Sequence, residues 1–101
     1  MNQEKWMTLL GLANRARKII SGEELVLREI KNKKAKLVIL SDDASFNTSK
    51  KVQDKCTYYQ VPFRFVQSRV QLGHAIGKEE RVVVAILEEG FAKKLTSLLD
   101  E

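Results

Sequence analysis

A chain of 101 residues, 44% hydrophobic and 31% charged, is expected to fold as one domain spanning residues 1–101 and to bury roughly two-thirds of its unfolded surface. A single cysteine, Cys56, excludes an internal disulfide, and one histidine, His74, leaves no His/Cys set for zinc. The net charge of +5 is uneven: residues 1–78 carry 15 Lys/Arg against 7 Asp/Glu, while residues 79–101 carry 3 against 6, which favours a nucleic-acid partner wherever the cations converge.

Trp6, Leu9, Leu10 and Ala13 recur at helical spacing and predict a first helix from about Gln3 to Asn14. Arg15, Arg17 and Lys18 then lead through Ile19-Ile20 into a polar Ser21-Gly22 hinge, after which Leu25, Val26, Leu27 and Ile30 predict a second helix from Gly22 to about Asn32. Ser21 and Glu24 have the spacing of a capping box, with Ser21 capping the helix and Glu24 reaching back. The same corner presents helix-terminal N–H groups and carboxylate acceptors, which suit base edges, beside Arg15, Arg17, Lys18 and Arg28, which suit phosphates.

Leu37 to Leu40 is a short run without alternation, the mark of a strand buried on both faces, and it stops at Ser41-Asp42-Asp43. Two adjacent aspartates after a strand can bind Mg²⁺, but no third carboxylate accompanies them; a strand-to-helix turn with Ser45 as a cap accounts for them. Ser49, Val52, Cys56 and Tyr59 mark a third helix, with Cys56 in its packing face. Val61 to Val66 alternates as a strand, and Pro62 confines it to a strand start or a sheet edge. Tyr58, Tyr59 and Phe65 could stack on bases, but their spacing assigns them to the core. Leu72, Ala75 and Ile76 make a short fourth helix closed by Gly77. Gly73 to Lys78 has the wrong spacing for a phosphate loop and lacks a hydroxyl residue after Lys78. Val82 to Leu87 is the most continuous strand, too short to span a bilayer, and Glu88-Glu89-Gly90 opens a last helix carrying Phe91, Leu95, Leu98 and Leu99.

Helices alternating with short buried strands imply an α/β sandwich with helices on both sheet faces. No nucleophile–base constellation is present, so a non-catalytic protein is expected. The N-terminus, Met1-Asn2-Gln3-Glu4-Lys5, has no signal-peptide hydrophobic stretch, which suits a cytoplasmic location.

Four segments taken in order carry a resemblance: Ser21-Gly22-Glu23-Glu24; Ala35 to Asp43; Lys55-Cys56 followed by Val61-Pro62-Phe63; and Ser68 to Gly77. With Leu10-Gly11-Leu12-Ala13 at one end and Phe91 at the other, the chain resembles the L-seven-Ae ribosomal-protein superfamily, whose members commonly bind kink-turn RNA, and most closely its bacterial YlxQ-type branch. The resemblance implies a three-layer α/β/α sandwich with a mixed four-stranded sheet. It also implies RNA at the N-terminus of the second helix, with the loop after Gly77 alongside.

The family's kink-turn readers have Gly, a small residue, Asn, Glu and, three residues later, Lys. Here Gly22 matches, Glu23 takes the small position, Glu24 that of Asn, Leu25 that of Glu, and Arg28 that of Lys. Leu25 has no acceptor for a guanine N–H and Glu24 cannot donate, whereas Arg28 keeps the charge and can fork onto phosphate or a guanine edge. The expected RNA-binding set is Arg17, Lys18, Ser21, Gly22, Glu23, Glu24, Leu25, Arg28, Lys36, Asp43, Arg69 and Lys78. Asp43 and Arg69 enter it because they match family positions near the RNA. The expected partner is RNA, a kink-turn or ribosomal RNA with the ribosome as its setting, bound by a monomer without membrane, metal or cofactor. The alternative is a protein-interaction module on the same scaffold, with Leu25 as an apolar contact.

Overall fold

The computed structural model describes residues 3–101, with side chains from Lys5 onward; Met1 and Asn2, part of the segment expected to lack a leader, lie outside the described residues. The element order is α1 (Gln3–Arg15), β1 (Ile19–Ser21), α2 (Glu23–Lys31), β2 (Leu37–Ser41), α3 (Phe46–Tyr59), β3 (Phe63–Val66), α4 (Arg69–Ala75), β4 (Val83–Ile86) and α5 (Glu89–Leu99). The strands lie in the order β1-β4-β2-β3. Strand β2 runs parallel to β3 and antiparallel to β4, and β1 pairs antiparallel with β4, so the sheet is mixed.

The two central strands explain their own composition. Leu37 and Ile39 of β2, with Val84 and Ile86 of β4, face one side and pack with Trp6, Leu10, Leu72 and Leu95 from α1, α4 and α5. Val38 and Leu40, with Val83 and Ala85, face the other side and pack with Val26 and Ile30 of α2 and Val52 and Cys56 of α3. A strand covered on both faces needs apolar side chains at every position, hence the unbroken runs. The result is the three-layer α/β/α sandwich.

Chain signals set most boundaries. The Ser45 hydroxyl accepts the Thr48 N–H at 3.2 Å and caps α3, as expected of the turn after Asp42-Asp43. The Ser68 hydroxyl accepts the N–H groups of Val70 and Gln71, and a Glu88 carboxylate oxygen accepts the Phe91 N–H at 2.8 Å to start α5. At the end of α4 the Gly77 N–H reaches the His74 carbonyl and the Lys78 N–H the Gly73 carbonyl, a Schellman closure with Gly77 at φ +74°. Pro62 precedes β3, which is an edge strand.

Three expectations are corrected. First, a strand, β1, lies within the basic approach to Gly22; three residues are too few for alternation to register, and β4 supplies the pairing that forms it. Second, Ser21 is not the cap of α2: Gly22 holds that position with no side-chain cap bond, and the Ser21 hydroxyl instead accepts the Arg81 Nε–H at 3.2 Å. The capping box therefore does not form, because β1 takes Ser21 into the sheet. Third, Tyr58 and Phe65 are exposed rather than core, while Tyr59 packs against the α2–α3 side. Tyr58 lies two residues, about 200°, around α3 from Cys56 and so points away from the sheet.

Candidate nucleic-acid interface

The C-terminal ends of β1, β2 and β3 and the start of β4 share one edge of the sheet, because β4 is antiparallel to β1 and β2. That edge gathers the start of α2, the Asp42-Asp43 turn, the starts of α3 and α4, and the 77–82 loop. Beyond the edge strand β1 stands Gly22, with φ +98° and ψ 146°. Its N–H donates to the Val83 carbonyl at 3.1 Å and its carbonyl accepts the Val26 N–H at 3.0 Å, so both flanking peptides are fixed. No atom stands within 4 Å of where a Gly22 side chain would begin, which leaves the helix entrance open to a ligand.

The expected residues separate into two groups. Ser21, Gly22, Glu23, Glu24, Leu25, Asp43 and Arg69 lie at the Gly22 end, Lys78 follows the far end of α4 in the loop that returns to Ser21 through Arg81, and Arg28 lies about 8 Å further along α2. Arg17 and Lys18 precede β1 and Lys36 precedes β2, at the opposite end of the sheet. There the Lys18 carbonyl accepts the Leu87 N–H and the Lys36 N–H donates to the Ile86 carbonyl. A three-residue strand intervenes, so Lys18 stands about 13 Å of chain from Gly22.

At the Gly22 end Glu23, Asp43, Arg69 and Arg81 are held by partners. The Glu23 carboxylate accepts from Lys51 Nζ at 2.9 Å and from the Thr48 hydroxyl at 2.8 Å, and these bonds with Lys51 and then Thr48 hold its carboxyl below the usual range. Glu23 therefore braces α2 against α3, whereas Glu24 and Leu25 are exposed at the helix entrance. Arg28 lies one turn beyond Leu25, 63% exposed, with its Nε 3.7 Å from Glu29.

Asp43 accepts the Arg69 backbone N–H at 3.1 Å, its carboxylate lies 3.5 Å from Arg69 Nε, and the guanidinium also donates to the Asp43 carbonyl. Arg69 Nη1 reaches Glu80 at 3.5 Å, the Arg81 N–H donates to the Arg69 carbonyl, and the Arg81 guanidinium bonds Ser21. One chain of contacts thus runs from Asp43 through Arg69 and Arg81 to the residue before Gly22.

Arg81 and Lys51 are the contributors that sequence reasoning did not include in the set. Arg81 is 60 residues from Ser21 in the chain, and only the β1–β4 pairing brings them together. Lys51 is 28 residues from Glu23, and no local pattern marks it.

The Ser41 hydroxyl, and then Arg69, hold the Asp43 carboxyl below the usual carboxylate range. A lowered folded pKa means stability that is present above the unfolded value of about 3.9 and lost as pH falls through the folded one. Thermal melts of Asp43→Asn should therefore lie below wild type near neutral pH, and the gap should close as the pH drops below about 4. A gap that persists unchanged into acid would show that the Asp43 charge is not its source.

Burial pushes the Cys56 thiol up to about 12, which keeps it protonated and inert. Among the described residues, no group of three or more His, Cys, Asp or Glu is arranged to hold a metal ion. No helix among them is long and apolar enough to cross a membrane.

Comparison with known proteins adds independent findings. The family model described as "Ribosomal protein L7Ae/L30e/S12e/Gadd45 family" matches residues 4–96. A Bacillus subtilis (strain 168) protein named "RNA-binding protein YlxQ" is 63% identical over 100 residues, covering 99% of this chain and 100% of its own length. An Enterococcus faecium protein of the same name is 48% identical over 99 residues, covering 98% and 95%. Among solved structures, a Bacillus halodurans C protein described as of unknown function superposes with a TM-score of 0.93 at 52% identity, covering 96% of this chain and 98% of that one. A Giardia lamblia 15.5kD RNA binding protein shares the fold at a TM-score of 0.84 and 20% identity, covering 99% and 87%.

Proposed function

The chain belongs to the ribosomal protein L7Ae/L30e/S12e/Gadd45 family, and from that premise we infer that it is a non-catalytic RNA-binding protein whose site is the Gly22 end of the sheet. The observation that carries the location is the open helix entrance at Gly22 with Arg81 bonded to the residue before it and Arg69 joined to Arg81, while Arg28 stands about 8 Å further along the same helix. Helix-terminal N–H groups and guanidinium groups grip phosphate without regard to sequence, while Glu24 accepts from base amino and imino groups. Leu25 offers no acceptor, so it contributes an apolar contact to a sugar or base. Asp43 orients Arg69 rather than meeting RNA, and Glu23 does the same for Lys51.

We take the ligand to be a structured RNA of the kink-turn class in a ribosomal setting, bound by a monomer in the cytoplasm. A sharply bent RNA presents a splayed base edge and two converging backbones, which is what a helix entrance flanked by arginines can meet at once. Lys18 and Lys36, at the far end of the sheet, attract RNA over a distance without touching the bent element.

Titration of a kink-turn RNA against a plain duplex, each at two salt concentrations, tests this. A preference for the kink-turn that persists at the higher salt is expected, and equal affinity for both RNAs would leave only charge attraction. Arg28→Ala should weaken binding about tenfold and flatten the salt dependence by roughly one unit of slope. An unchanged dissociation constant removes Arg28 from the site.

A further inference from the structure

Helices α2 and α3 start together at the Gly22 end, joined by Glu23, Thr48 and Lys51, and run side by side away from it. Between them, from Lys51 outward, lies an open groove of about 620 Å³ lined by Lys31, Lys51, Asp54, Lys55, Tyr58 and Tyr59. On α3, Lys51, Lys55 and Tyr58 follow at spacings of four and three and form one stripe. Its only acidic lining residue, Asp54, is already neutralised by Lys50 at 3.2 Å. Lys31 and Lys55 have no ion-pair partner among the described residues, so the groove is positively charged.

Tyr58 is the unusual member. It is 78% exposed, yet its ring makes a T-shaped contact with Tyr59, with centroids 4.8 Å apart at 77°, and Tyr59 packs against the core. An exposed aromatic ring beside the unpaired Lys31 and Lys55, with the Glu23-paired Lys51 at the near end, combines the two parts of a single-strand binding surface, a stacking platform and an electrostatic track. The track leads back to Lys51 and so to the Gly22 end. From Lys51 to Tyr58 is about 10 Å along the helix, the span of roughly three stacked nucleotides.

We propose that this groove binds a single-stranded stretch of RNA continuing from the structured element at Gly22, with one base stacked on Tyr58 and the backbone on Lys31, Lys51 and Lys55. The proposal rests on the RNA-binding function above and extends it beyond the helix entrance.

The test compares a blunt-ended kink-turn RNA with the same RNA carrying a short single-stranded tail on either strand. Wild type should bind one tailed RNA about tenfold more tightly than the blunt one. Tyr58→Ala and Lys55→Ala, both on exposed side chains, should abolish that gain and leave the blunt RNA unaffected. No gain from a tail at either end, or a gain that survives both substitutions, overturns the proposal.

Amide shifts on adding a six-nucleotide single strand alone distinguish this from the broader reading. Shifts at Lys31, Lys55 and Tyr58 in a protein that ignores the kink-turn would support the groove and remove the Gly22 site. Silence at those three positions removes the groove whatever the kink-turn does.

Discussion

Gly22→Ala should both destabilise the protein and weaken RNA binding, although the new methyl group would meet no atom within 4 Å. The cost is conformational. At φ +98° and ψ 146° the residue sits beside a region that only glycine occupies readily, and holding another residue there costs about 1–3 kcal/mol. The chain cannot relax by rotating the peptide, because the Gly22 N–H is bonded to Val83 and its carbonyl to Val26. Relief therefore means losing the β1–β4 pairing at Ser21–Val84 or the first turn of α2. In a domain of this size each kcal/mol lowers the melting midpoint by about 4–8 °C. A calorimetric scan and an RNA titration of the same variant check the two effects together. A midpoint within about 2 °C of wild type would show that the helix entrance tolerates a side chain.

Gly73→Ala should have a comparable effect through a different cause. A methyl group there would stand 2.4 Å from the Glu80 Cα and 2.7 Å from its N, so the 77–82 backbone must move. Overpacking of this kind costs about 1–3 kcal/mol. The displaced segment carries the Glu80 and Arg81 contacts to Arg69 and Ser21. The expected signature is a lower melting midpoint, amide shifts confined to residues 77–82 and their neighbours at the Gly22 end, and weaker binding of the structured RNA. Lys18 and Lys36, at the other end, should be silent. Full RNA affinity in a variant whose loop had demonstrably moved would place the interface elsewhere.

The elements that sequence reasoning captured are those whose signal is local. Leu37–Leu40 and Val82–Leu87 read as buried strands because both of their faces are covered, and Ser45 and Glu88 start helices and Gly77 ends one with bonds to atoms a few residues away. Those that escaped depend on distant chain. Ile19–Ser21 becomes a strand because β4 lies alongside it, and Ser21 gives up its capping role because Arg81 arrives at its hydroxyl. Phe65 carries a core residue's side chain but sits on an edge strand, 41% exposed.

By itself, the sequence determined the α/β alternation, the faces that form the two cores, the family and the place of Gly22 at a helix entrance. All of these follow from apolar periodicity and turn chemistry within some ten residues, or from the order of short segments. Only the tertiary structure decided which cations stand beside Gly22. Arg17 and Lys18 precede it closely in the chain, yet a strand between them carries them to the opposite end of the sheet. Arg81, 60 residues from Ser21, is brought to it because β4 runs antiparallel to β1 and starts where β1 stops. Strand direction, which no local pattern encodes, sorted one basic sequence into a binding corner and a distant charge.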